Sequence, residues 1–465
     1  VIPAVRLDPP TAARLLIVSA ILALPAGVKS ALGPRYGGTL VVAVREMPAS
    51  LDPGAGHGVA RSLLSGLVHE TLLGVGPDGL PTPALVQGWT SAADGREWRL
   101  ALRETATFHD GRPVTSEDAL DAVRRFLRSA SPSAAWLAAG LDPETPASTP
   151  DPGHLVLRFV EARALPLAPL AAPAAAVLGP RGVGCGPFLP LSPTPGKRVG
   201  LMAFGGHVRG RPYLDAIEVV AAAGSGALEA GFRAGEVDVA PGGDGPSSLS
   251  GLAATLILAL DTARPPFDRS AARATVSGAL DRGDIVRRLL PGGDAAPSLL
   301  VPGLLPPMVA YTPARGRPLA ASVRMAVGRD VPPLVSQRIV ASLAAVGLRV
   351  EAAAVAPAEA MRAPAAARLF LWSPEVAEAG LALHELSLLG PAVAGVEEAL
   401  GAAARELDLD RRRALLHRAE AVLREQDLLI PIAAVPVSFR ARPGVHGPRV
   451  DLSGRLVLED AWREP

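Results

Sequence analysis

Phe108-His109-Asp110-Gly111-Arg112-Pro113-Val114-Thr115-Ser116-Glu117-Asp118-Ala119 joins the end of a period-two strand to a tight turn and a capped helix. Upstream, Trp98, Leu100 and Leu102 alternate with Glu97, Arg99 and Arg103, the pattern of a strand buried on one face. Asp110-Gly111 and Pro113 turn the chain. Thr115 or Ser116 then supplies a helix cap, with Asp118 placed as in a capping box, and Leu120, Val123 and Leu127 form the apolar stripe of the helix that follows. Scaffold accounts for every residue of the stretch, and none of it needs catalysis.

The rest of the chain alternates in the same way. Thr39 to Val44, Ile217 to Val220, the segment at Val237 and Ala254 to Leu260 read as strands, with Leu228 and Phe232 one helical turn apart. Val276, Ala279 and Leu280 mark one helix, and Ile285, Val286, Leu289 and Leu290 the next. From Ser322 to Val350 the order is strand, helix, strand, with Gly347 ending the helix, which is a βαβ unit. Arg368 to Trp372 gives a further strand. An amphipathic helix over Arg411 to Arg424, with its stripe on Leu415, Ala419 and Val422, leads into a strand at Ile430. Interleaving of this kind predicts α/β architecture. Ala/Pro-rich patches around 141–152, 163–180 and 352–367 read as connectors.

Composition narrows the function. At 465 residues the chain exceeds one hydrophobic core, so two or three lobes are expected. Gly (48) and Pro (47) make about a fifth of it, which implies many loops rather than disorder. The formal charge of +1 and the absence of a long basic run exclude a nucleic-acid footprint. Cys185 is the single cysteine, so internal disulfides and Cys-rich metal centres are excluded, and it reads as a small buried residue at a turn. The eight histidines include no H-E-x-x-H and no i, i+4 pair. His109-Asp110 fits a turn better than a metal site. Gly224-Ser225-Gly226 lacks the spacing of a nucleophile elbow and opens a helix, and Gly182, Gly184 and Gly186 lack the order of a phosphate cradle. These three glycines read as backbone freedom at a hinge.

Arg6 and Arg14 precede the apolar run Leu15 to Leu24, which is too short for an ordinary span and reads as the core of a secretory signal over residues 1–31, with an uncleaved anchor as the alternative. No Cys follows it, so a lipobox is not available.

Several blocks then stand in one order: Ser50-Leu51-Asp52-Pro53, Glu70-Thr71-Leu72-Leu73, Pro83-Ala84-Leu85-Val86-Gln87-Gly88-Trp89 and the opening stretch, followed by Val183-Gly184-Cys185-Gly186-Pro187-Phe188. Arg211 to Val219, Ala234 to Asp238, Pro265 to Asp268, Ala279 to Arg282 and Leu429 to Ile432 complete the series. The series resembles the extracytoplasmic solute-binding proteins, family 5, that serve peptide and nickel ABC importers. The resemblance implies a periplasmic-binding-protein-like α/β fold of two lobes with an appended third domain and a ligand cleft between the lobes. Lobe I would comprise residues 37–56, 179–262 and 435–465, the appended domain 57–178, and the opposing lobe 263–434.

It also implies an extracytoplasmic, periplasmic binding protein, monomeric and without a cofactor or bound metal. Such a protein captures a small peptide or similar solute and hands it to a membrane permease with its ATPases. It touches the membrane only through that permease, and it is not an enzyme. In peptide-binding members a tryptophan ends a strand of the opposing lobe, and an acid three positions later holds the peptide amino terminus. Trp372 and Glu375 stand there, with Glu in place of the usual Asp. Glu375 equally fits a solvated loop acid. Trp136 resembles a cleft aromatic of the family and equally fits a core tryptophan. Met47 and Pro48 fall where relatives line the cleft, whereas Asp52 fits a turn cap. Aromatics are only 4% of the chain, and the loops after Glu375 are short, so a smaller, less aromatic pocket is expected. A sensory protein of the same fold and an extracytoplasmic hydrolase are the alternatives.

Overall fold

In a computed structural model of the protein, the opening stretch folds as its residues dictate. Gly111 takes a φ of +85°, and the Arg112 N–H bonds the Asp110 carboxylate at 3.1 Å. Thr115 is the helix cap. Its side chain accepts from the Asp118 N–H, and Asp118 accepts in return from the Thr115 N–H at 2.8 Å. The His109 ring N–H donates to the Gly186 carbonyl at 3.0 Å, and the His109 N–H to the Gly184 carbonyl at 2.9 Å. Two distant sequence blocks are thereby locked together.

The structure describes residues 33–54, 58–192, 197–222, 224–242, 248–296, 298–306 and 318–464. The expected export signal at 1–31 lies outside them. From Arg35 onward the chain packs as one unit.

The chain opens with β1 (Thr39–Val44), α1 (Val59–Val68), a hairpin of β2 (Leu73–Val75) and β3 (Pro81–Pro83), then β4 (Val86–Ser91) and β5 (Glu97–Leu102). Helices α2 (Ser116–Leu127) and α3 (Pro132–Ala138) precede β6 (Ala147–Asp151) and β7 (His154–Arg158). Next come β8 (Phe188–Pro190), β9 (Arg198–Ala203), β10 (Ala216–Ala221), α4 (Ser225–Ala234), β11 (Val239–Pro241) and the long β12 (Ser248–Leu260). Then follow α5 (Ser270–Ala279), α6 (Arg282–Leu289), β13 (Asp294–Ala295), β14 (Ala321–Gly328), α7 (Pro333–Ala345), β15 (Leu348–Val355), α8 (Pro357–Ala360) and β16 (Ala367–Trp372). Helices α9 (Ala379–Ser387), α10 (Val396–Arg405) and α11 (Leu409–Glu425) lead to the equally long β17 (Leu429–Ala441).

Eleven strands form one sheet in the order β15-β14-β16-β12-β17-β11-β1-β10-β9-β8, with β13 paired to β17. The expected βαβ unit is present: β14 and β15 pair in parallel, Val323 against Val350. Strands β12 and β17, 13 residues each, pair along their length and carry the sheet from one half to the other. Along β12, Leu256, Leu258 and Leu260 enter one core while Ile257 and Ala259 enter another, so helices cover both faces there. Strands β4, β5, β7 and β6 make a separate antiparallel sheet, and α2 packs Phe126 and Val123 into its core.

The structure corrects several expectations. The strand expected at Val237 starts at Val239, because the Asp238 carboxylate turns back to accept from the Val41 N–H at 2.8 Å. The buried stripe of α11 keeps the expected Ala419 but runs through Leu416 and Leu423 in place of Leu415 and Val422, and it includes the charged Arg412 and Glu420. None of the three Ala/Pro patches is a plain connector throughout. Residues 147–151 and 352–355 lie in strands, and Leu167, Ala168, Leu170 and Ala172 are buried in the core of the small sheet. Of the three glycines read as a hinge, Gly182 has a positive φ, whereas Gly184 and Gly186 are required by space. A Cβ at either would lie 2.0 or 2.6 Å from the Val68 backbone.

Candidate functional site

Strand β16 alternates its side chains between two cores, and Trp372 closes it on the face covered by α9, α10 and α11. The indole is 2% exposed, and its N–H donates to Glu385 Oε1 at 3.1 Å. The chain then bends over Glu375, Val376 and Ala377, and α9 begins four residues after Glu375. The Glu378 carboxylate caps α9, accepting from the Gly380 and Leu381 N–H groups at 3.0 and 2.9 Å. Arg412 of α11 holds that cap at 2.7 Å, with both side chains buried. Glu375 is thus fixed between a strand end and a pinned helix start.

The second oxygen of Glu385 accepts the Glu375 backbone N–H at 3.0 Å. One carboxylate therefore grips two of the residues expected to meet ligand. The half-buried Glu375 carboxylate accepts the Ser131 hydroxyl at 2.6 Å, and Ser131 is the cap of α3. Trp136, one turn along α3, is half-buried, with its ring 5.1 Å from that of His384 on α9 and the Arg163 guanidinium 5.5 Å from its face. Val376 and Leu381 enter the core of the small sheet. The loop between β16 and α9 is therefore a seam where the small sheet's domain meets the long sheet's helices. Ion pairing of Arg405 with Glu161 extends the seam.

Burial pushes the Glu385 carboxyl up to about 7; the two N–H donors pull against this, and the neighbouring Glu375 charge adds to it. Burial lowers the pKa of His384, and its buried Nε2 has no hydrogen-bond partner. Glu375 supplies a half-buried carboxylate bonded to Ser131, and Trp136 a half-buried aromatic face. In this conformation Trp372 stands behind Glu385 rather than on an open wall.

Met47 and Pro48 are half-buried just beyond β1, where Met47 packs on the core of β1 and β10. They belong to the other half of the long sheet, and no hydrogen bond or ring contact joins them to the Trp372 group among the described residues. Asp52 caps a turn, accepting the Gly54 N–H at 2.9 Å. A cavity of about 340 Å³ lies elsewhere, on the small sheet beside Leu120, Val123 and Arg158. Cys185 is buried, and burial pushes its thiol far up. Among the described residues no three His, Cys, Asp or Glu side chains are placed to hold a metal, and no helix is long and apolar enough to cross a membrane.

Sequence reading missed Glu385, Ser131 and the Glu378–Arg412 pair. For Glu385 a signal existed: it follows Leu381 and Ala382 by four and three residues, so an acid occupies the buried face of a short apolar helix.

The sequence profile of bacterial extracellular solute-binding proteins, family 5 middle region, matches residues 81–322, just over half of the chain. The uncharacterized protein YhjP of Bacillus subtilis is 31% identical over 169 residues, 35% of this chain and 28% of that protein. The periplasmic murein peptide-binding protein MppA of Escherichia coli is 34% identical over 136 residues, 28% of this chain and 24% of that one. The matches thus span about a quarter of those relatives' length. The solved structure of the ABC transporter-associated periplasmic binding protein DppA of Helicobacter pylori, in complex with the peptide STSA, superposes with a TM-score of 0.83. It covers 93% of this chain and 99% of that one at 17% identity, which is a likeness of fold.

Proposed function

This chain belongs to the bacterial extracellular solute-binding proteins, family 5, and from that premise we propose that it is the solute-binding component of an ABC importer. It acts outside the cytoplasm, after export by the signal at 1–31. It captures a small peptide or similar solute and delivers it to a permease and its ATPases. Residues 37–56, 179–262 and 435–465 form lobe I, 57–178 the appended domain and 263–434 the opposing lobe. Ligand sits between the lobes, where domain interfaces commonly place sites.

One observation carries the reading. The acid three residues after the strand-ending Trp372 is held by its backbone and faces the appended domain, with Trp136 on the adjacent helix. Glu375 receives the ligand ammonium, exchanging the Ser131 hydroxyl for a charge-assisted hydrogen bond. Trp136 packs the apolar part, Trp372 backs the site through Glu385, and Met47 and Pro48 line the lobe I side. The chain carries out no covalent chemistry.

Native mass spectrometry of the protein purified from its export compartment tests this. A retained solute of peptide mass, lost from Glu375→Gln, is the expected result. Solute retained equally by both proteins would overturn the role of Glu375.

A further inference from the structure

We infer that Glu385 is the positioning residue of this site: its one carboxylate sets the Trp372 indole and the Glu375 backbone in register and exchanges a proton as a cation arrives at Glu375. The inference rests on the proposed role of Glu375 as the cation's partner. Its geometry is independent of any ligand.

The two Glu385 oxygens serve different masters. Oε1 takes the Trp372 N–H at 3.1 Å, and Oε2 takes the Glu375 N–H at 3.0 Å. A carboxylate accepts at both oxygens, whereas its protonated form has a hydroxyl at one of them and accepts well at only one. Ionised Glu385 therefore holds both partners, and protonated Glu385 loosens one. Two features hold the proton on. The side chain is buried, and the Glu375 carboxylate lies close enough to repel a second negative charge. A ligand cation at Glu375 cancels that repulsion and favours the ionised form, which clamps Trp372 and Glu375 together. Occupancy and ordering of the site are thereby linked.

The surroundings leave few competing charges. Arg362, beyond α8, is a favourable charge acting on Glu385 at a distance. Arg412 is committed to Glu378, and the Glu397 charge acts on His384. Helix α3 contributes no titratable side chain between Pro132 and Ala138.

The test uses the full, ligand-free protein. The indole N–H resonance of Trp372, assigned by its loss in Trp372→Phe, is followed by NMR from about pH 5 to 9. We expect a shift with its midpoint near 7, absent in Glu385→Gln and moved to lower pH in Glu375→Gln. A shift that survives Glu385→Gln would belong to His384 and would overturn the inference. A flat wild-type resonance, or a midpoint unmoved in Glu375→Gln, would overturn it as well. Because no ligand is present, a protein that shows this titration yet retains no solute would keep the positioning role and sink the proposed function alone.

Discussion

Replacing Glu378 by Gln should destabilise the protein by about 4 kcal/mol, because the substitution strands a buried cation. The Glu378 and Arg412 side chains are 4% and 8% exposed and meet at 2.7 Å. Glu378 also accepts two backbone N–H groups at the start of α9, and Gln can accept only one of them. The lost cap bond costs about 1 kcal/mol and the unpaired Arg412 the rest, since breaking a buried pair from one side typically costs ~3–5 kcal/mol. Among the described residues Arg412 pairs with no acid other than Glu378, and its buried Nε has no hydrogen-bond partner. Urea unfolding followed by tryptophan fluorescence gives the free energy, provided the slope is unchanged. In Glu378→Gln/Arg412→Met, where neither charge remains, at least half of the loss should return. A single-variant loss below about 1 kcal/mol, or a double variant no more stable than the single, would refute the reasoning that this pair anchors α9.

Two further outcomes follow from the same structure. Glu385 has a folded pKa of about 7 against 4.5 unfolded, so the folded state holds the extra proton between those values. Its contribution to stability therefore falls as pH rises from about 4.5 through 7, by about 3 kcal/mol at most. Glu385→Gln should flatten the unfolding free energy across that window, and an unchanged profile would contradict it. Gly184→Ala places a Cβ 2.0 Å from the Val68 carbonyl oxygen, so urea unfolding should show a loss of at least the ~1–3 kcal/mol typical of overpacking. A variant as stable as wild type would mean the close approach is not required.

What the sequence revealed depended on the range of the interaction. The turn at Asp110-Gly111 and the Thr115–Asp118 capping box are made by neighbours in the chain, and both stand as read. The βαβ unit at β14 and β15 was legible because its apolar periods are unmixed with charge. On α11 Ala419 was legible but its two neighbours in the stripe were each read one residue early, because two charged side chains lie on the buried face. Arg412 is paired with Glu378, 34 residues away, and Glu420 accepts hydrogen bonds from the Ser298 hydroxyl and the Leu299 N–H. No local pattern discloses such partners. The glycines at 184 and 186 failed for the same reason, since the Val68 backbone that excludes a side chain arrives from more than a hundred residues upstream. At the candidate site, Trp372 and Glu375 stand three residues apart at the end of one strand, a spacing visible in the chain, and their part in ligand binding is a proposal. Ser131 was not legible, because its hydroxyl reaches Glu375 only through the packing of α3 against α9.

Thermal unfolding with a pool of short free peptides, and with the same pool after N-acetylation, tests the central claim most directly. A ligand present at about 100 times its dissociation constant stabilises the protein by ~2.7 kcal/mol. Losing the ammonium that meets Glu375 should weaken binding more than tenfold, which is over about 1.4 kcal/mol. The free pool should raise the melting temperature, the acetylated pool should raise it little or not at all, and Glu375→Gln should show the same loss with the free pool. Equal shifts from both pools, or no shift from either, would contradict it.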